Sequence, residues 1–296
     1  MSLRQMEYLV AVVEEESFTR AAETLHVTQS ALSHQIKALE RETGGPLLER
    51  MPRGVRLTAR GRAYFPHAEL AVRSARQARR AALAAGDAQS GELHLAAVHG
   101  QAVGVLPRVC AHWARAHPGV RLVLHEYATT EELHEQMARG VADMALGPRP
   151  ADWPGPVTVV GQERMVLVLP PGDPLAARES VRLAELADRA WVRCSLEPVV
   201  AGRRWLDLEC ERVGFTPRTA VRTQHSSTAV RMASAGVGVL LTAAHELTGL
   251  DCVAVPTDPP WRREITVFSR VELTGAAAEF TALLRTVNGP DGAGDR

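Results

Sequence analysis

Lysine is almost absent from this chain: Lys37 stands alone among 34 basic residues, and the others are arginines. Cysteine is scarce as well, and the thiols at positions 110, 194, 210 and 252 form no Cys-x-x-Cys pair. This spacing excludes a zinc-stapled or disulfide-stapled domain, and reduced thiols are the expected state. No apolar run approaches the ~20 residues that a membrane-spanning helix requires. The first residues predict an amphipathic helix rather than a secretory signal, so we expect a cytoplasmic protein without a membrane partner.

Sequence signatures of several large enzyme classes are missing too. The chain contains no Gly-x-Ser-x-Gly elbow, no Walker phosphate loop and no Gly-x-Gly-x-x-Gly fingerprint. The Ala-Gly-Val-Gly segment that begins at Ala235 is interpreted as a helix end followed by a turn. We therefore expect no enzyme, no cofactor and no metal, in a chain of 296 residues that can form two or three compact units.

The formal net charge of zero conceals an uneven distribution. Residues 50–80 hold nine arginines against the single acid Glu69, whereas residues 91–296 hold 21 bases and 24 acids. A basic segment on an otherwise acidic body is what attraction to phosphates requires. The charge pattern therefore favours a nucleic-acid partner for the N-terminal part.

Residues 18–42 predict two consecutive helices joined by a tight turn. A helix from Thr19 to Leu25 is followed by a turn at His26-Val27, and Thr28 is a good N-cap for a helix over 29–42. One face of this second helix is apolar, and the other carries hydrogen-bonding groups and one cation, which suits the DNA major groove. The candidate DNA-binding residues here are Thr28, Gln29, Ser30, Ser33, His34 and Lys37.

A basic hairpin is predicted directly after these helices. Gly44-Gly45-Pro46 ends the second helix, and the ribbon around Gly54 is rich in arginine, which suits phosphates or the minor groove. Arg50, Arg53 and Arg56 are therefore further candidate DNA-binding residues. The alternative is an ordinary helical hairpin that does not bind DNA, in a small-molecule-binding protein or an enzyme. The basic ribbon argues against it.

A long helix is predicted over 62–88, where alanine, arginine and glutamine dominate. Its apolar side needs a partner, and a second copy of the chain is the natural one. Packing on the chain's own core is the alternative. From Gly91 onward short strands alternate with helices, which predicts an α/β fold with a mainly parallel sheet.

The motifs of the first 62 residues resemble the DNA-binding domain of the LysR-type transcriptional regulators. Four pieces follow in order: Ala-Ala-x-x-Leu from Ala21, Ser-x-x-Ile-x-x-Leu-Glu from Ser33, Leu-x-x-Arg from Leu47, and Arg-Gly-Val-x-Leu-Thr from Arg53. Three positions depart from the family pattern, which usually has Pro, Arg and Phe where this chain has Ser30, His34 and Leu48. The change at His34 weakens a bidentate guanine contact and leaves base preference open.

The remainder resembles the family's effector-binding domain, through His-Pro-Gly-Val-x-Leu at 117–122 and Gly-Val-Ala-Asp-Met-Ala-Leu at 140–146. The resemblance implies a winged helix-turn-helix and a linker helix, then two Rossmann-like lobes similar to periplasmic binding proteins. It also implies a homodimer or homotetramer that binds double-stranded DNA and is controlled by a small effector, most simply an organic anion. The expected boundaries are 1–60 for the winged helix-turn-helix, 61–90 for the linker and dimerisation helix, 91–163 with 266–288 for lobe I, 164–265 for lobe II, and 289–296 for a disordered tail.

In open α/β lobes, ligands lie beyond the carboxyl ends of the strands, where helix N-termini present free N–H groups. A small hydroxyl residue is common in the family where His99 stands, so we expect an unusual effector or an empty site. His99 and His225 are either a facing pair for a metal or carboxylate, or ordinary polar loop residues. The candidate effector-binding residues are His99, Gly100, Gln101, Thr129, Arg149, Ser195, Gln224, His225, Ser226 and Phe268.

A thiol-based sensor is the alternative regulator. Cys194 and Cys210 lie in the lobe where the family's peroxide-sensing branch keeps its reactive pair, although their spacing differs. Arg193 and Arg203-Arg204 stand near them in sequence, and cations of this kind lower a thiol pKa. Against this reading, Cys210 lies among Leu206, Leu208 and Val213, where a small buried apolar residue is the ordinary explanation.

Overall fold

The computed structural model describes residues 1–52, 54–86, 91–194, 197, 199–200 and 202–288. The described residues form two compact units, one from 1–82 with 138–141 and one from the rest. Within them, no helix is both long enough and apolar enough to cross a membrane. The predicted disordered tail at 289–296 lies outside the described residues, so that prediction stays untested.

Three short helices and a two-stranded hairpin begin the first unit. Each helix starts at a hydroxyl side chain that accepts a backbone N–H bond: Ser2 from Gln5, Ser17 from Arg20, and Thr28 from Ala31. His26, in the turn before the third helix, has a φ of 53°, which lets the chain reverse sharply. The elements are α1 (Leu3–Glu14), α2 (Phe18–Thr24), α3 (Gln29–Glu42), β1 (Leu48–Arg50) and β2 (Val55–Leu57).

The hairpin is held against the end of α3. Glu40 Oε1 accepts the backbone N–H groups of Leu47 at 2.9 Å and Leu48 at 3.2 Å. β1 and β2 pair antiparallel from Leu48–Leu57 to Arg50–Val55, as predicted for a wing. The carboxylate of one helix residue therefore fixes where the wing starts.

A single helix of 28 residues, α4 (Ala59–Gly86), follows the wing. Gly61 lies in its first turn, where an added Cβ would come 2.0 Å from the Leu47 carbonyl oxygen, so only glycine allows this approach. Ala68 is buried, and Tyr64 and Phe65 pack on the core that α1, α2 and α3 share. The first half of the helix thus packs on its own chain, as the alternative reading of its apolar side anticipated.

The second unit opens with three parallel strands. β3 (Gly91–Val98) lies between β4 (Val120–Tyr127) and β5 (Met144–Gly147) and is parallel to both. Three helices connect these strands: α5 (His99–Gly104), α6 (Leu106–Ala116) and α7 (Thr130–Ala138). Residues 99–101, which follow the first strand, form the first turn of α5. The sequence pattern predicts a strand over 140–147, but the strand is shorter and begins at Met144.

The chain then runs through a long strand, β6 (Val157–Leu169), and returns through β14 (Arg262–Phe268), which pairs antiparallel with it. One lobe, called the first lobe, contains β3–β5, α5–α7 and the closing helix α10 (Gly275–Asn288). The second lobe contains the elements between β6 and β14. These are β7 (Val181–Arg182), β8 (Ala190–Cys194), β9 (Val199–Val200), β10 (Arg203–Arg204), α8 (Trp205–Arg212), β11 (Arg218–Thr223), α9 (Ser226–Ser234), β12 (Leu240–Ala243) and β13 (Val253–Asp258).

The expectation of a mainly parallel sheet is wrong, because the sheet is mixed. β6 pairs antiparallel with β12, β13 and β14, whereas β8 and β11 form a parallel pair. β6 and β14, which pass between the lobes, are antiparallel to the strands beside them. A repeating βα pattern in the sequence does not show this direction. The sequence pattern indicates no strand at 253–258, where β13 lies. It predicts a helix over 200–213, but the helix begins only at Trp205.

Each lobe has its own buried core. Trp113 and Phe280, whose ring centroids are 5.2 Å apart, lie in the first lobe between α6 and α10. Trp191, Leu206 and Cys210 pack together in the second lobe. Both cores leave the carboxyl ends of β3 and β8 uncovered for a site, since His99 and Cys194 there are partly exposed.

Candidate functional sites

The polar face of α3 is presented to solvent. Leu32, Ile36 and Leu39 are buried in the core of the first unit, which orients the helix. On the other side, Gln29, Ser30, His34 and Lys37 are exposed and Ser33 is half-buried. The structure therefore brings together the helix residues that the sequence singled out for the major groove.

Thr28 and Ser30 have a local role besides. Thr28 Oγ1 accepts the Ala31 N–H at 3.2 Å and lies 3.2 Å from Ser30 Oγ. These bonds fix the first turn of α3, whose N-terminal residues contact bases in helix-turn-helix proteins. Thr28 thus positions the helix as well as facing solvent.

The wing carries Arg56, whose Nε donates to Glu49 Oε1 at 2.8 Å. Both side chains are largely exposed, and such surface pairs contribute at most about 1 kcal/mol. Arg56 can therefore exchange the carboxylate for a phosphate at little cost. Arg53 and the side chain of Arg50 lie outside the described residues, so their predicted roles stay predictions.

Two histidines meet across the lobes. His99, at the start of α5, and His225, just before α9, have ring centroids 5.5 Å apart at an angle of 75°. His99 Nδ1 also lies 2.9 Å from Glu126 Oε2. The facing arrangement considered for these two side chains is present. Among the described residues, no three histidine, cysteine or carboxylate side chains converge as metal ligands.

We call the region around His99 and His225 the crevice, and Gln101, in the first turn of α5 beside His99, is its unusual residue. Its side chain is 1% exposed, yet neither the amide nitrogen nor the amide oxygen has a hydrogen-bond partner. A buried amide left unpaired costs free energy, so in native proteins such groups are matched by water or by a ligand. Gly100 beside it is buried as well.

Cys194, at the end of β8, lies close to two of the other predicted residues. Cys194 Sγ lies 3.6 Å from the Gln224 carbonyl oxygen and 3.8 Å from Ser226 Oγ, and Ser226 is buried. These two residues therefore lie beside the end of β8, as predicted. Ser195 lies outside the described residues.

Three other predicted residues are held by contacts of their own. Thr129 Oγ1 caps α7 by accepting the Glu132 N–H at 3.1 Å, and Arg149 forms an exposed ion pair with Glu264 at 3.3 Å. Phe268 is fully buried and packs against Trp153, with ring centroids 5.0 Å apart. Because core packing occupies its ring, we drop Phe268 from the candidate effector site.

The buried ion pairs near the crevice were not predicted from the sequence. Arg193 is buried and donates to both Glu197 and Asp207. Burial would lower the pKa of this guanidinium, but the hydrogen bonds to Glu197 and Asp207 raise it above its ordinary value. The spacing of Arg193, Glu197 and Asp207 in the sequence does not follow the period of a helix or a strand. Their contact is therefore visible only in the folded structure.

A second cluster joins the long strands to the second lobe. Glu163 on β6 accepts from its cross-strand partner Arg263 and lies 2.9 Å from His245 Nε2. His245 in turn lies against α5, where a Cβ at Gly104 would be 2.9 Å from its ring. This network thus connects the lobes beside the crevice.

Family models match both halves of the chain. Residues 3–62 match "Bacterial regulatory helix-turn-helix protein, lysR family", and residues 86–289 match "LysR substrate binding domain". The chain belongs to the LysR family. It is a LysR-type DNA-binding transcription regulator with an effector-binding domain, as the sequence motifs predicted.

Relatives of the LysR family align over most of this chain. The regulator AlsR of Bacillus subtilis is 30% identical over 85% of this chain and 84% of its own length. ShiR of Corynebacterium glutamicum is 33% identical over 82% of each chain. A probable hydrogen peroxide-inducible genes activator of Mycobacterium avium is 35% identical over 78% of this chain and 74% of its own.

Solved full-length LysR structures share the fold. A full-length OxyR variant of Pseudomonas aeruginosa superposes with a TM-score of 0.72 at 22% identity and covers 97% of both chains. CbnR, solved as a complex with its target DNA, superposes with a TM-score of 0.70 at 22% identity, covering 98% of this chain and 100% of that chain. These structures therefore share the fold of this chain.

Proposed function

We propose that the exposed face of α3 reads base edges in the major groove while the wing contacts the DNA backbone. The observation that carries this proposal is the fixed orientation of α3, whose apolar side is buried and whose polar side is open. Base contacts would come from Gln29, Ser33 and His34, and positioning contacts from Lys37, Arg50, Arg53 and Arg56, with Thr28 and Ser30 at the helix start. A protein of this kind acts in the cytoplasm, where bacterial DNA lies, and not as an enzyme.

The effector would bind in the crevice between the lobes. The unpaired amide of Gln101 and the convergence of His99 with His225 support this position, with Gly100, Thr129, Arg149, Gln224 and Ser226 around it, and Ser195 from the sequence. A small organic anion is the proposed ligand. It would change DNA binding only by preferring one arrangement of the lobes over another.

A dimer or a dimer of dimers would carry the paired DNA-binding units. The length of α4 supports pairing through the part beyond Val72, the last buried residue among the described side chains of the helix. Paired recognition helices would read two half-sites about one helical turn apart, or a multiple of that spacing. The proposed boundaries remain 1–60, 61–90, 91–163 with 266–288, and 164–265, so both lobe junctions fall inside the β6–β14 pair.

Thiol sensing through Cys194 and Cys210 is the second candidate, since several relatives are described as hydrogen peroxide-inducible activators. Cys194 is partly exposed, which favours it. Cys210 is buried among apolar side chains, and this burial raises the pKa of its thiol to about 12, which keeps it protonated and unreactive. The effector mechanism is therefore preferred.

Salt-dependent binding tests the DNA-binding proposal. The purified chain would be titrated with the DNA upstream of its own gene and with random DNA of equal length. Tighter binding to the upstream DNA, with affinity falling steeply as salt increases, is the expected result. Equal binding to both DNAs would show that the upstream DNA contains no operator. It would then favour the alternative that α2 and α3 are a packed hairpin that does not bind DNA.

A further inference from the structure

A groove runs beside β14 where the sheet is incomplete. β14 pairs with β6 along its whole length, but β5 pairs only with Thr266–Phe268 and ends at Gly147. Arg149, just beyond β5, and Trp205, at the start of α8, line one cavity with the residues that begin β14. The volume of this cavity is about 310 Å³.

Two tryptophans form an apolar wall of this groove. Trp205 and Trp261 are half-buried, and their ring centroids are 4.7 Å apart at an angle of 75°. By contrast, Trp113 and Trp191 are fully buried in the lobe cores. An edge-to-face pair that reaches a cavity offers ring surface to a third planar group, because aromatic rings favour edge-to-face and offset-stacked contacts.

The charged residues of the groove are predominantly cationic. Arg149, Arg262 and Arg263 line it, against a single lining carboxylate, Glu264. Glu163 is bonded to Arg263 from β6, and Glu264 forms only the exposed pair with Arg149. The groove therefore keeps an excess of positive charge.

Arg262 is the cation that lacks an acidic partner among the described residues. It is exposed and stands directly across from another arginine, Arg164, in the register of β14 and β6. Like charges placed directly opposite on neighbouring strands are destabilising. A bound anion relieves this repulsion, and a carboxylate suits a guanidinium because both oxygens can accept.

We propose that this groove binds a planar aromatic carboxylate, with the ring against Trp205 and Trp261 and the carboxylate on Arg262 and Arg149. The groove shares Arg149 with the proposed crevice site but is otherwise a separate ligand site. The inference rests on the proposed control of this regulator by a small anion and adds a site and a ligand class to it. A cationic aromatic would be repelled by the arginines. A neutral aromatic would lose the charge-assisted bonds, and a saturated acid would lose the ring contact.

Binding is measured on the full-length protein by calorimetry and by tryptophan fluorescence, using benzoate, salicylate and cinnamate as probes. At least one probe is expected to bind and to change the tryptophan emission. Cyclohexanecarboxylate, benzamide and benzylamine serve as saturated, neutral and cationic controls and are expected to bind at least tenfold more weakly. Equal binding of benzamide or cyclohexanecarboxylate would overturn the assignment of the ligand class.

Two variants locate the site. Arg262→Gln is expected to weaken the best probe about tenfold or more, since a hydrogen bond to a charged group contributes about 1.5–3 kcal/mol. Trp205→Leu is expected to reduce both affinity and the emission change. Arg218→Gln, at an exposed arginine of β11 outside the groove, is the matched control and should leave affinity unchanged. If Arg262→Gln and Arg218→Gln have equal effects, the groove is not the site.

The failure of this inference differs from failure of the regulator itself. If the chain binds specific DNA but none of the three aromatic acids, the ligand assignment is wrong while the DNA-binding function stands. Absence of specific DNA binding would instead contradict the proposed function on which the inference rests. Specific DNA binding by Arg262→Gln, equal to that of the unaltered chain, confirms that the variant is folded and that the lost probe affinity is local.

Discussion

Single residues decide much of the chemistry near the crevice, and Cys210 is the clearest case. The thiol is surrounded by Leu206, Trp191 and other apolar side chains, and burial raises its pKa to about 12. Its nearness to Arg193 lowers the pKa by less than burial raises it. Proximity of arginines in sequence therefore does not make this thiol reactive.

At pH 8, we expect iodoacetamide to modify the partly exposed Cys194 and to leave Cys210 unmodified until the chain unfolds.

The pKa of Cys210 is raised in the folded state, so its contribution to stability is present below the unfolded pKa of about 8.5 and is lost as pH rises toward 12. Between pH 8.5 and 10 the Tm should fall more steeply for the unaltered chain than for Cys210→Ala. Peptide mass mapping and thermal melts measure both, and early labelling of Cys210 would refute the account.

Arg193 is predicted to be essential for the stability of the second lobe. Arg193→Met leaves Glu197 and Asp207 without the cation that both accept from, and breaking such a buried pair costs about 3–5 kcal/mol. Urea unfolding measures the loss. Arg203→Met, which removes the exposed ion pair with Glu211, is the control and should change stability little. Equal losses for the two variants would show that the buried ion pairs stabilise the protein no more than the exposed pair does.

At the scale of elements, the limits of α3 were predictable to the residue, because an N-cap and a clear hydrophobic pattern define them. β13 and the mixed sheet were not, because the partners of a strand depend on the path of β6 and β14 between lobes. The crevice was predictable in part from the strand ends. The sequence did not predict that Trp261 and Arg262 line a groove, since the alternation of a strand does not show where its neighbour β5 ends.

The junction between wing and linker helix gives an element-scale prediction. Gly61→Ala would place a Cβ 2.0 Å from the Leu47 carbonyl oxygen, so the wing or the start of α4 must shift. Overpacking of this kind costs about 1–3 kcal/mol, measurable by urea unfolding, and DNA affinity should fall as well. Ala63→Ser, at an exposed position two residues later in α4, should change neither quantity. An unperturbed Gly61→Ala protein would disprove the tight contact.

The recognition helix and the wing should respond differently to substitution. Ser33→Ala on α3 is expected to reduce discrimination between operator and random DNA by about 1–3 kcal/mol while leaving the salt dependence unchanged. Arg56→Ala on β2 is expected to weaken both DNAs alike and to flatten the salt slope. Fluorescence anisotropy at several salt concentrations separates the two patterns. An exchanged pattern would mean that the roles of helix and wing have been assigned the wrong way round.

At the scale of the whole molecule, two separate units serve two tasks. The first unit presents a polar helix face and a basic wing, and the second contains a crevice and a groove between lobes joined by β6 and β14. Ligand binding that favours one arrangement of these lobes can bias DNA binding only by its difference in affinity between arrangements. Charge follows the same division, since the arginine-rich segment at 50–80 belongs to the DNA-binding part.

The central claim is that this chain reads a DNA sequence as an oligomer, and selection from a random duplex library tests it most directly. Full-length protein would be used to enrich bound duplexes over several rounds, with Gln29→Ala in parallel. The account predicts a pseudo-palindrome whose half-sites lie about one helical turn, or a multiple of it, apart, with weaker base preference for the variant. No enriched sequence, or an identical preference for the variant, would contradict it.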